Sequence, residues 1–125
     1  MKIFLDTADT SLIEEYFATG LVDGVTTNPT LIMKSGRNPE EVYQQIKDIG
    51  VQDISMEVMG DAQTMLNEAL RLVDKFGSVS TIKLPMTRDG LKVCKELSGI
   101  MVLRSALCHL KYLIKCMITC LRIKV

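Results

Sequence analysis

Four polar side chains stand where short apolar runs end, at widely separated positions: Asp6, Asn28, Glu57 and Lys83. Lys83 is the sharpest of them. In VSTIKLP (residues 79–85) it is an amine flanked by apolar neighbours. A parallel strand is normally buried on both faces, and burial disfavours the cation and lowers a lysine's pKa. A partly neutral amine attacks a ketone or aldehyde and forms a Schiff base. The iminium then draws electrons from an adjacent C–C bond as it breaks. One carboxylate must move protons on the substrate hydroxyl, and a second must handle the water that enters or leaves at the carbinolamine. Asp6 and Glu57 are the candidates. Asn28 carries donor and acceptor on one amide and suits a sugar hydroxyl. Each residue alone has a plainer reading. Lys83 and Glu57 read equally as structural or salt-bridged groups, Asp6 as a cap of the next turn, and Asn28 before Pro29 as turn chemistry. The catalytic case rests on all four recurring at matched strand ends.

The elements that must position them alternate. Residues 2–5 (KIFL), 22–26, 53–58 (DISMEV) and 79–84 (VSTIKL) read as strands. Between them, Asp9-Thr10 starts a helix to about Ala18, with Leu12, Ile13, Tyr16 and Phe17 as its buried face, closed by Gly20. Pro29 opens a short helix, TLIMKS, and Asn38-Pro39-Glu40-Glu41 starts another to about Ile49. Asp61 caps a helix over Ala62–Phe76 with Met65, Leu66, Ala69, Leu70, Leu72 and Val73 as its stripe. A last helix runs from Thr87 or Arg88 to about Leu97, ended by Gly99. Strand–helix alternation predicts an α/β fold with parallel strands and right-handed crossovers. The four polar groups then share the rim at the strands' C-terminal ends, where such folds place their sites. A doubly wound open sheet and part of a (β/α)₈ barrel both satisfy this pattern.

Composition bounds the reading. The 125 residues, 47% hydrophobic and 24% charged, make a globular composition of about one domain. They are too few for a complete (β/α)₈ barrel, which takes roughly 200–250 residues. The zero net charge hides a split. Residues 100–125 carry Arg104, Lys111, Lys115, Arg122 and Lys124 with no acid, and hold three of the four cysteines. All eight glycines and all three prolines lie at or before position 99. No apolar run reaches a membrane span, and MKIFLDTADT is not a signal peptide. A cytoplasmic setting with reduced thiols follows. The one basic segment is apolar with a single aromatic, Tyr112, so nucleic acid is not an expected partner.

Particular stretches carry a family likeness: KIFLDTA at 2–8, GLVDGVTTNPTLI at 20–32, SMEV at 55–58, and TIKLPMT with DGL at 81–91. Through them residues 1–98 closely resemble the small transaldolase family, which includes enzymes like fructose-6-phosphate aldolase. The resemblance implies the N-terminal half of a class I aldolase-type (β/α)₈ barrel. It implies transfer of a dihydroxyacetone unit between phosphorylated sugars through a lysine Schiff base, as in pentose-phosphate metabolism, with no metal or other cofactor. It makes Lys83 the Schiff-base lysine, Asp6 the acid/base on the substrate hydroxyl and Glu57 the partner of the catalytic water. Asn28, with Thr26 and Thr27 of the same TTNPT motif, becomes the substrate-contacting group. Glu at this third-strand position is typical of transaldolases, and Gln of the aldolase-type members, so Glu57 favours transfer over a fructose-6-phosphate aldolase-type cleavage. Homo-oligomers are common in the family and are expected here.

The likeness in words stops near Gly99. The tail, IMVLRSALCHLKYLIKCMITCLRIKV, does not match the family's further strands, and its composition fits a reading-frame shift near residues 99–103. As written, its apolar residues and the spacing of Lys111, Lys115 and Arg122 suit an amphipathic helix over an open half-barrel. Cys108, Cys116 and Cys120, with His109, match no common zinc spacing and read as packed thiols and a packed or surface imidazole. A rival function follows: an inactive α/β fragment that associates with itself or another protein through this tail.

Overall fold

A computed structural model of the chain describes residues 2–100 and 104–108. Five strands, β1 (Phe4–Asp6), β2 (Gly24–Thr26), β3 (Ile54–Glu57), β4 (Ser80–Pro85) and β5 (Arg104–Cys108), form one parallel sheet. Helices α1 (Thr10–Phe17), α2 (Pro29–Ser35), α3 (Pro39–Asp48), α4 (Ala62–Phe76) and α5 (Arg88–Ile100) fill the connections. The strands lie in chain order, β1-β2-β3-β4-β5. A doubly wound sheet reverses its strand order, because its helices cover both faces. Right-handed crossovers that always step the same way put every helix on one face, as in a barrel wall. The order therefore settles the choice left open by alternation in favour of an open segment of barrel.

Local chemistry explains where the elements start and stop. The Asp9 carboxylate accepts from the Ser11 and Leu12 amides and caps α1. Asn28 and Asn38 cap α2 and α3, each followed by a proline suited to the first helical turn. Asp61 accepts from the Thr64 amide at 2.8 Å to start α4. Gly77, at φ +68°, ends it in a conformation other residues adopt at a cost.

The helix-facing side of the sheet is apolar. Val25, Ile54, Met56, Ile82 and Leu84 are fully buried and join Ile13, Val42, Ile46, Met65, Ala69, Leu72 and Phe76 in one core. Each large side chain buried this way contributes about 1.5–3 kcal/mol. Alternation places the polar strand residues on the opposite face. The ladder sets Asp6, Thr26, Ser55 and Thr81 at one level, and Glu57 beside Lys83 two residues further on. Below them Gly24 is obligatory. A Cβ there would lie 2.3 Å from the Phe4 ring and 2.6 Å from the Asp53 carbonyl oxygen.

Several expectations are corrected. In α1 only Ile13 is buried, while Leu12 and Tyr16 are 40% and 47% exposed. The helix flanks an edge strand, so a four-residue stripe has too little to pack against. Leu70 is likewise exposed on α4, because that stripe is narrower than its apolar residues suggest. Gly99 does not end α5, which runs on to Ile100. A fifth parallel strand, which was not foreseen, follows at Arg104–Cys108. The helical reading of the tail does not hold for these five residues. The unpaired edge of β4 takes them into a ladder from Thr81↔Arg104 to Pro85↔Cys108. The helix and thiol readings of His109, Lys111, Lys115, Cys116, Cys120 and Arg122 fall outside the described residues.

Candidate active site

Lys83 stands near the C-terminal end of β4, between Ile82 and Leu84 whose side chains face the helices. Its own side chain lies on the polar face and is 17% exposed. Its Nζ lies 3.1 Å from Glu57 Oε2, and the Glu57 side chain is 13% exposed. The ladder pairs the two residues directly, so adjacent strands dictate the contact. The Val58 amide donates to the Lys83 carbonyl oxygen at 3.1 Å and locks the register at this point. Nζ also donates to the Thr27 carbonyl oxygen at 3.5 Å. The amine expected from sequence was a cation among apolar neighbours. The structure instead sets it against a carboxylate that can take its proton.

Asp6 closes β1 and is exposed on the same face. The Thr26 hydroxyl donates to Asp6 Oδ1 at 3.0 Å and makes a longer 3.5 Å contact with the Leu5 carbonyl oxygen. Thr26 thus orients the carboxylate from the neighbouring strand. The structure groups Glu57, Lys83 and Thr27 on one side and Asp6 with Thr26 on the other, all on one face of the sheet.

Asn28 serves a second purpose. Its Oδ1 accepts from the Leu31 amide at 2.9 Å and caps α2. The acceptor half of the amide is committed to the helix, leaving the NH₂ donors for a ligand hydroxyl. Thr27 departs further from expectation as a substrate-contacting side chain. It is fully buried, and its hydroxyl donates to the Ser55 carbonyl oxygen at 2.9 Å. What it presents to the site is its backbone carbonyl.

The sequence reading passed over the floor beneath this group. Ser55 and Thr81 are buried on the polar face, and the Thr81 hydroxyl donates to Asp53 Oδ1 at 2.6 Å. The signal was available: serine and threonine alternate with apolar residues in ISME and STIK. Hydroxyls that can rotate to a partner line this face with little unpaired polarity.

The comparisons agree with this geometry. The chain matches the Transaldolase/Fructose-6-phosphate aldolase family over residues 3–118, a span that includes β5. It belongs to that family. A probable transaldolase of Sphingopyxis alaskensis is 50% identical over 100 residues, covering 79% of this chain and 46% of the relative. One from Parvibaculum lavamentivorans is 50% identical over 100 residues, with 79% and 45% covered. One from Methanococcus maripaludis is 50% identical over 99 residues, with 78% and 46% covered. The chain thus spans a little under half the length of these relatives. No helix among the described residues is long and apolar enough to cross a membrane.

Proposed function

We propose that this chain carries the Schiff-base portion of a transaldolase site acting on phosphorylated sugars. The observation that carries the reading is the half-buried Lys83–Glu57 pair, 3.1 Å apart at the C-terminal rim of a parallel sheet. Glu57 takes a proton from the Lys83 ammonium, and the free amine adds to the ketose carbonyl. Glu57 then returns a proton to the carbinolamine oxygen, which leaves as water, and an iminium remains. Asp6, oriented by Thr26, removes the proton from the substrate hydroxyl as the neighbouring C–C bond breaks into the iminium. A dihydroxyacetone unit stays on Lys83 as an enamine and adds to an acceptor aldehyde. Hydrolysis then frees the amine. The Asn28 NH₂ group donates to a sugar hydroxyl. A pentose-phosphate role, a cytoplasmic setting and self-association belong to the same proposal.

Borohydride reduction tests it. With fructose 6-phosphate present, the expected result is a covalent three-carbon or six-carbon adduct on Lys83, read by mass spectrometry and absent from Lys83→Ala. A folded wild-type chain that forms no adduct, or an adduct that survives in Lys83→Ala, defeats it. The open sheet supports a second reading, that of an inactive, self-associating fragment. Among the described residues β1 pairs on one side alone. A folded oligomer by light scattering, without any adduct, selects that reading.

A further inference from the structure

Tyr43 lies in the helix layer, on the side of the sheet away from Lys83. It is 4% exposed, between the fully buried Val42 and Ile46 turns of α3. Its ring meets Phe76 edge-on, with centroids 5.8 Å apart and planes at 85°. Its hydroxyl hydrogen-bonds the Thr27 side chain. The direction of that bond follows from proton counting. Thr27 has one hydroxyl proton, which is given to the Ser55 carbonyl oxygen at 2.9 Å. The Thr27 oxygen can therefore only accept, and Tyr43 must donate. Burial pushes the Tyr43 phenol up from its ordinary value, so it keeps the proton it donates.

The other side of Thr27 meets the site. Its backbone amide also donates to the Ser55 carbonyl oxygen, at 3.1 Å, and its own carbonyl oxygen accepts from Lys83 Nζ at 3.5 Å. We infer that Tyr43 is a positioning residue for Lys83, acting through the sheet by holding Thr27 so that the Thr27 carbonyl and Glu57 together aim the amine. A lysine stem has four rotatable carbons and about 2 kcal/mol of rotamer entropy. Two fixed acceptors restrict its swing before substrate arrives, which is the preorganisation that covalent attack rewards. The inference rests on the Schiff-base reading for its purpose, and on the hydrogen bonds alone for its geometry.

The test uses the full chain as wild type, Tyr43→Phe, Thr27→Val and the double variant. Tyr43→Phe removes one oxygen and keeps the ring against Phe76. A thermal melt within a few degrees of wild type confirms that packing survives. Two readouts follow. The first is the rate of borohydride trapping on Lys83 across fructose 6-phosphate concentrations. The second needs no substrate: trace acetic anhydride labels amines competitively, and Lys83 is compared with the exposed Lys34 and Lys92 in the same sample.

Expected for Tyr43→Phe is a fivefold to tenfold fall in the saturated trapping rate, on the order of one lost hydrogen bond. The half-saturating concentration stays unchanged. Lys83 labelling is expected to shift at least about twofold relative to Lys34 and Lys92, whose own ratio holds. The double variant loses no more than the worse single one, because both cut the same link. Tyr43→Phe indistinguishable from wild type in both readouts, or fully additive losses in the double variant, would overturn the inference. A wild-type chain that traps nothing defeats the Schiff-base reading, and the labelling ratio still decides on Tyr43.

Discussion

The Lys83–Glu57 contact is the arrangement from which the chemistry must start. An ammonium does not attack a carbonyl, so the residue that receives its proton sets the rate of addition. Glu57→Gln keeps the shape and a hydrogen-bond acceptor but cannot take the proton. It is expected to slow adduct formation on Lys83 by about 10²–10⁴-fold, as trapped product per minute shows. Thr26→Val acts later. It strips Asp6 of its 3.0 Å hydrogen bond while leaving the amine untouched. Trapping of the intact six-carbon iminium should persist, while the rate of C–C cleavage falls by about tenfold. Equal loss in both steps would show that Thr26 serves binding, not Asp6. Sequence alone picks out Lys83, Glu57 and Asp6 because they stand at the ends of apolar runs. It does not separate the roles of Thr26 and Thr27, which are chemically alike. Only the register shows that Thr26 faces Asp6 while Thr27 turns its hydroxyl to Ser55.

At the scale of elements, the helices are held to one another as well as to the sheet. Glu40 at the start of α3 accepts from Arg71 and Lys75 of α4, and Arg71 also reaches Glu68 at 2.7 Å. The two cations hold the Glu40 carboxyl below its ordinary value. A group depressed on folding stabilises the native state above its unfolded pKa, and that contribution is lost as pH falls through the folded one. Glu40→Gln should therefore lower the urea midpoint at pH 7, by less than about 1 kcal/mol since the cluster is solvated. The difference should vanish near pH 3. A difference that persisted there would assign the effect to packing. Gly24 is a sharper constraint. Gly24→Ala drives a methyl into the Phe4 ring and the Asp53 carbonyl oxygen, and is expected to cost about 1–3 kcal/mol or more in denaturant unfolding. The caps at Asp9, Asn28, Asn38 and Asp61 were legible, since each is a short polar residue before an apolar period. The exposure of Leu12, Tyr16 and Leu70 was not. Periodicity reports which residues can be buried, and neighbours decide which ones are.

At the scale of the whole molecule, alternation was legible as an α/β fold. The choice between a doubly wound sheet and a barrel wall was not, because both share it. Strand order decides between them, and order depends on crossover packing that no local pattern encodes. The fifth strand was missed for a related reason. RSALC carries weak strand propensity of its own, and β4's free edge supplies what the segment lacks.

One consequence of strands laid side by side in chain order concerns synthesis. Every ladder joins a segment to one made shortly before it: Phe4 to Gly24, Val25 to Ile54, Ile54 to Ser80, Thr81 to Arg104. A nascent polypeptide can therefore add each strand to a template already outside the ribosome, with short loops to close at every step. Glu57 and the Thr27 carbonyl both precede Lys83, so the amine emerges into a seat that is already built. Arrested nascent chains halted once β4 has cleared the exit tunnel should already protect the amides of β2 and β3 from hydrogen exchange.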